Sequence, residues 1–111
     1  MVKQGDIIMI NFNPRVGHEQ AGYRPAVVIS NNFYNEKTRL AMICLITNTD
    51  NRFPTHIRLD GHTQTTGFVL CEHVHSFDIH KRGYKVVERV SAEMLEKILN
   101  VIFLEIKIDE D

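Results

Sequence analysis

The sequence predicts a mainly β domain with one C-terminal helix, its sheet twisted and partly barrel-like. Three observations carry this: short apolar runs separated by turn residues up to Arg89, a change to helical spacing after Ser91, and a length of 111 residues, which suits a single core. Ile7-Ile8-Met9-Ile10-Asn11-Phe12 follows Gly5-Asp6 and is closed by Asn13-Pro14, which reads as a first strand. Arg15 to Tyr23 is polar, contains Gly17 and Gly22, and reads as a loop. Arg24-Pro25 opens a second strand, Ala26-Val27-Val28-Ile29-Ser30; a proline at a strand start need not donate to the ladder. Asn31-Asn32-Phe33-Tyr34-Asn35 is turn chemistry with room for one short helical turn, and Leu40 to Ile46, ending at Thr47, is a central strand. Thr55-His56-Ile57-Arg58-Leu59 alternates and stops at Asp60-Gly61, a turn signal. Gly67-Phe68-Val69-Leu70-Cys71 and Tyr84 to Arg89 complete the β set. In so small a domain the sheet edges must be curled or covered.

The last segment differs in kind. Ser91 is an N-cap, Glu93 sits in the first turn, and Met94, Leu95, Ile98, Leu99, Ile102 and Phe103 recur at helical spacing. Val101, Leu104 and Ile106 fall outside that stripe, so the helix carries more apolar surface than one small sheet buries. Two explanations stand side by side: a helix sunk deep in its own core, or a subunit interface. The domain is expected over residues 1–108, with 109–111 an acidic tail.

Composition sets limits without naming a function. The apolar share of 43% and charged share of 24% are those of an ordinary globular protein, which excludes a disordered chain. No apolar run reaches the roughly 18 to 20 residues needed to span a bilayer, and the N-terminus is polar, so the expected location is the cytoplasm. The two cysteines, Cys44 and Cys71, lie inside apolar segments at no metal-like spacing and read as buried, reduced thiols. With 13 basic and 14 acidic residues the net charge is −1, so any attraction for nucleic acid must be local. The dense basic segment is Lys81-Arg82-Gly83-Tyr84-Lys85, followed by Arg89. His73-Val74-His75 puts two imidazoles on one face of a strand, but no cysteine or carboxylate stands at a ligand spacing, and neither metal nor cofactor is expected. His56, His62 and His80 read as surface residues, and Phe12, Phe53 and Phe77 as core residues before base platforms.

The loop Gly17-His18-Glu19-Gln20-Ala21-Gly22-Tyr23-Arg24-Pro25 gathers an imidazole, a carboxylate and a guanidinium between two strands. Cutting RNA without metal needs a base for the 2′-OH proton, an acid for the 5′ leaving oxygen and a cation for the charge that develops on phosphorus. Glu19, His18 and Arg24 suit these tasks chemically; a polar surface loop accounts for the same residues.

That loop, continued by Ala26-Val27-Val28-Ile29-Ser30, resembles the signature of the MazF/PemK toxins, whose typical form is G-[SH]-E-Q-x-G-x-R-P followed by an aliphatic strand. The likeness extends to Gly5-Asp6-Ile7, Asn13-Pro14, Phe33-Tyr34-Asn35, Ile46-Thr47, Thr66-Gly67-Phe68-Val69, Ser76-Phe77-Asp78-Ile79, Arg89-Val90 and the final helix. His18, Thr65-Thr66-Gly67 and Glu88-Arg89-Val90 lean toward the PemK/Kid branch.

The resemblance implies an SH3-like, CcdB/PemK-like fold and a homodimeric endoribonuclease. It would cut single-stranded RNA at short sequences, leaving a 2′,3′-cyclic phosphate and a 5′-OH, and be neutralised by a cognate antitoxin with a flexible acidic C-terminal segment. Carried onto this chain, the family's central arginine and threonine are Arg24 and Thr47, and its glutamate and histidine are Glu19 and His18. Guanidinium is a poor base, so Arg24 binds the scissile phosphate while Thr47 donates to a non-bridging oxygen; Glu19 and His18 compete for the role of base. Candidate RNA contacts are Arg15, Gln20, Arg52, Glu72, His73, His75, Ser76, Lys81 and Arg82, and the antitoxin is expected along the 15–23 and 48–54 loops. Two departures stand out. Leu70, Cys71 and Glu72 replace the branch's Arg-Cys-Asp triplet, and His73 and His75 stand where MazF members commonly place Gln and then Arg or Lys. Other classes remain: a non-enzymatic, CcdB-like poison of DNA gyrase, or a catalytically dead binding module.

Overall fold

The apolar runs of the sequence become the inner strands of one sheet, buried on both faces. The computed structural model describes residues 1–12, 22–50 and 52–110. In chain order the elements are β1 (Asp6–Asn11), β2 (Tyr23–Val28), α1 (Asn32–Thr38), β3 (Ala41–Thr47), β4 (His56–Arg58), β5 (Phe68–Phe77), α2 (Ile79–Arg82), β6 (Tyr84–Arg89) and α3 (Ala92–Ile106). The strands form one open antiparallel sheet in the order β4-β5-β3-β2-β1-β6.

Alternation along the strands sorts the core into two layers. Ile7, Val27, Cys44, Ile46, Val69 and Cys71 face one side and pack with Met94, Ile98 and Ile102 of α3. Ile8, Ile10, Ala26, Val28, Ala41 and Ile43 face the other and pack with Val2, Ile79, Phe12, Leu45, Phe77 and Tyr84. Pro25 pairs with Met9 on the β1 side, and the β3 ladder starts only at Ala26, so the missing N–H falls where β3 makes no demand.

The Ser91 cap is realised: its hydroxyl accepts the Met94 N–H at 3.1 Å and donates to Asp60 at 2.9 Å. The apolar stripe is not as read. Val101 packs against the core although it lay outside the stripe, while Phe103, assigned to it, is 61% exposed. Leu104 and Ile106 are also exposed, so a helix sunk entirely in its own core does not hold for the last turns.

Two further readings need correction, and one element had no reading. The 31–35 turn opens a full helix, because Asn31 caps it through the Tyr34 N–H at 2.8 Å and buried Asn35 is clamped by Ser30, whose hydroxyl donates to the Asn35 side chain and accepts the Met42 N–H. The strand expected to stop at Cys71 runs on to Phe77. The Asp78 side chain caps α2, a short turn of helix that polar Lys81-Arg82 concealed. No helix among the described residues is long and apolar enough to cross a membrane.

Where β5 crosses β3 it is strongly bulged. Ile46 pairs with Val69 and Cys44 with Val74, so Leu45 alone stands against Leu70, Cys71, Glu72 and His73. The excess of three residues is odd, and it inverts the alternation. Val69 and Cys71 point under α3, whereas His75, opposite Ile43, and Phe77, opposite Ala41, point to the other face.

Candidate active site

The sheet face opposite α3 collects the described residues that carry chemistry. Ala26 pairs with Leu45 across β2 and β3, and the same register carried two residues further sets Arg24 opposite Thr47. Both share the alternation of Ala26, Val28, Ile43 and Leu45, so both belong to this face. Arg24 is exposed, and Thr47 is half-buried at its strand end. The Thr47 hydroxyl accepts the Thr49 N–H at 3.2 Å, which leaves its own hydrogen to donate.

Gly67 fixes the level of Thr47. Its φ is +122°, and a Cβ built there would stand 2.5 Å from the Thr47 carbonyl oxygen and 3.1 Å from Asn48 Oδ1. Only glycine allows this approach. The segment leading to Gly67 is tied down from behind: Glu88 accepts the N–H groups of Gln64 and Thr65 at 3.0 and 2.7 Å and the Thr65 hydroxyl at 2.6 Å. Those bonds, opposed by partial burial, hold the Glu88 carboxyl below its ordinary range. Asn48, Arg58, Asp60, Thr66, Gly67 and Phe68 are among the residues lining an open groove of about 710 Å³ beside Thr47.

Beyond the bulge, β5 carries a row of rings. His73 and His75 stack with centroids 6.1 Å apart and planes at 15°, and His75 and Phe77 follow at 5.7 Å and 18°. Phe77 meets the Phe12 ring edge-on at 5.3 Å and is covered by the Arg82 guanidinium at 4.4 Å. Arg82 Nη1 also donates to the Phe12 carbonyl at 3.1 Å. Ser76 points to the other side of the strand from these rings, its hydroxyl 2.7 Å from that of Tyr34. Ser76, Phe77, Asp78, Lys81 and Arg82 line a cavity of about 410 Å³ at the end of the row.

Glu72 lies within the bulge and is engaged. Its carboxylate accepts the Thr55 hydroxyl at 2.6 Å and His56 Nε2 at 2.7 Å, with His73 Nε2 at 3.7 Å. Burial alone would raise this carboxyl; hydrogen bonds from Thr55, the backbone and His56, with the His56 charge, outweigh it and hold the group below its ordinary range. The surface reading of His56 is overturned, since its side chain is 3% exposed. Glu105 of α3 moves the opposite way, raised by burial and by the Glu72 charge. The cysteines are buried and free; burial pushes Cys71 to about 12 and Cys44 higher still, so neither is a thiolate nucleophile.

The fold thus brings together Arg24, Thr47, His73, His75 and Arg82 on one face and draws Glu72 toward β4. Arg52 is exposed at φ +58° in the β3–β4 connection, its N–H donated to Asp50. Arg15, His18, Glu19 and Gln20 lie outside the described residues. Among the described residues no group of three or more His, Cys, Asp and Glu side chains is arranged to hold a metal ion. Sequence reasoning missed Gly67 as a positioning residue and His56 as the partner of Glu72. An isolated glycine at the mouth of a strand was the available signal for the first; the second had none.

An open antiparallel sheet backed by a C-terminal helix is the fold of solved toxins. The MazF of Deinococcus radiodurans superposes with a TM-score of 0.81 at 30% identity, covering 96% of this chain and 97% of that one. The chain in a MazE–MazF crystal from the same organism gives 0.83 at 25% identity, with 97% of each covered. In sequence, the chain is 36% identical over 94 residues to the endoribonuclease toxin MazF of Escherichia coli K12, spanning 85% of this chain and 84% of that protein. It is 32% identical over 102 residues to the Escherichia coli endoribonuclease PemK, spanning 88% and 77%. Residues 3–104 match the family of PemK-like, MazF-like toxins of type II toxin-antitoxin systems. The chain belongs to that family.

Proposed function

We propose that this chain is an endoribonuclease toxin that cuts single-stranded RNA at short sequences without a metal ion. The observation that carries the reading is the β2–β3 register, Ala26 opposite Leu45, which carried two residues further aligns Arg24 with Thr47 on the face that α3 leaves uncovered. A guanidinium there binds the scissile phosphate and stabilises the charge of the phosphorane, and the Thr47 hydroxyl donates to a non-bridging oxygen. The 2′-OH gives its proton to Glu19 or His18 and attacks phosphorus. The bond to the 5′-oxygen breaks, and that oxygen takes up a proton, leaving a 2′,3′-cyclic phosphate and a 5′-OH. Arg52, Lys81 and Arg82 supply local positive charge for the backbone, which a net charge of −1 makes necessary.

A groove that accepts phosphates also accepts a flexible acidic peptide, and the Deinococcus MazF is crystallised with MazE. The cognate antitoxin of this chain therefore competes with RNA along the 15–23 and 48–54 loops. A homodimer is the natural cover for the exposed apolar end of α3, where Phe103, Leu104 and Ile106 are 61, 63 and 74% exposed.

The test is cleavage of a defined RNA in excess EDTA, with the fragment ends mapped. Cyclic-phosphate and 5′-OH ends from wild type, and none from Arg24→Ala, are expected. Activity abolished by EDTA, or retained in Arg24→Ala, overturns the reading.

A further inference from the structure

We propose that His73, His75 and Phe77 form two slots that each take one base of the substrate RNA on one side of the scissile phosphate, a proposal that rests on the ribonuclease reading above. The three rings lie nearly parallel, with centroid spacings of 6.1 and 5.7 Å. Residues two apart on a strand have Cα atoms about 6.6 to 6.8 Å apart, close to the two contacts of about 3.5 Å that a flat base sandwiched between rings requires. The centroid spacings fall short of that by about 1 Å, so the histidine rings must swing apart by that much for each gap to admit a base. The outer ring is the exposed one, the His73 side chain being 57% exposed with a 3.7 Å contact to the Glu72 carboxylate.

The row has a fixed end and a free end. Phe77 is held by the Phe12 edge and the Arg82 guanidinium, and Arg82 is anchored on the Phe12 carbonyl. His73 is at the other end, on the side of Thr47: His75 pairs with Ile43, and Thr47 is four residues further along β3, about 13 Å at the rise of a strand. A strand of RNA leaving Arg24 and Thr47 along β5 meets His73 first, then His75, then Phe77, and reaches the cavity beside Lys81 and Arg82, where a backbone phosphate ends the track. Stacking of this kind adds affinity without reading sequence, because every base has a π-face. Imidazoles serve where a lysine would grip phosphate alone, so the slots hold bases rather than charge.

The experiment uses the full chain and an RNA oligonucleotide containing its mapped cleavage sequence, 2′-O-methylated at the attacking nucleotide and carrying 2-aminopurine at one flanking position at a time. Quenching at two successive nucleotides on a single side of the cleavage point is expected. His75→Ala, which removes the wall common to both slots, abolishes that quenching and weakens binding about 5-fold to 150-fold; His75→Phe restores both. Equal quenching on both sides, unchanged quenching in His75→Ala, or restoration by His75→Lys but not by His75→Phe overturns the proposal. If wild type cuts no RNA in EDTA, the ribonuclease reading itself has failed; if it cuts normally and only the quenching pattern is wrong, the slots alone are refuted.

Discussion

Gly67→Ala puts one methyl group where the backbone of Thr47 already stands. The new Cβ would lie 2.5 Å from the Thr47 carbonyl oxygen and 3.0 Å from its carbon. Those atoms must retreat by at least about 0.5 Å, and a φ of +122° adds strain of roughly 1–3 kcal/mol for a residue with a side chain. Overpacking contributes about another 1–3 kcal/mol, so the variant is expected to lose roughly 2–6 kcal/mol of stability. Urea denaturation measures this directly. A displacement of half an ångström at a strand end that holds a phosphate also costs catalysis; about 10-fold in kcat is expected under conditions where the variant is fully folded, given that about 1 Å of misplacement is worth roughly 100-fold. A Gly67→Ala protein as stable and as active as wild type would refute the assignment of Gly67 as the residue that sets Thr47. Loss of stability with undiminished kcat would reduce it to a folding residue.

Other consequences are as direct. The Glu72 carboxyl is depressed in the folded state, so the unfolded chain binds the proton more readily and stability falls as pH drops from the ordinary carboxylate range through the folded value. Glu72→Gln should therefore flatten the acid limb of a stability-versus-pH curve below about pH 5; an unaltered limb would exclude the Thr55–His56–Glu72 cluster as its source. Ser91→Ala removes the cap on Met94 and the bond to Asp60 and should cost about 0.5–2 kcal/mol, read by chemical denaturation. Leu104→Glu, placed on the exposed end of α3, should shift sedimentation from dimer to monomer with little change in the circular dichroism of the sheet. A persistent dimer would move the interface elsewhere.

Much of this molecule was legible because its strands declare themselves locally. The runs 7–12, 26–30 and 40–47 are apolar on both faces, and both faces are buried. Ser91 announced α3 through a cap that depends on its own neighbours alone. What failed to show depends on contacts distant in sequence. Asn35 belongs to a helix because Ser30 clamps it and β3 lies beside it. His56 is buried because Glu72, sixteen residues away, needs a donor. Phe103 sits at helical spacing yet is exposed, because the first layer of the sheet ends before the helix does. For the site, residue types pointed to Arg24 and Thr47, but their facing positions follow from a register between strands that no single segment encodes.

The bulge in β5 has a consequence for how this strand tolerates change. With Leu45 opposed by four residues, the strand is two half-strands joined in antiphase, one loyal to the helix layer and the other to the open face. A regular strand of the same length would hold one phase throughout, turning imidazoles into the space beneath α3 and taking Val74 to the open face, whereas losing a single residue from Leu70 to His73 would leave an even excess and keep both halves on the faces they now hold. The bulge itself, more than the length of the stretch, is what lets one strand serve the core with its first half and the open face with its second.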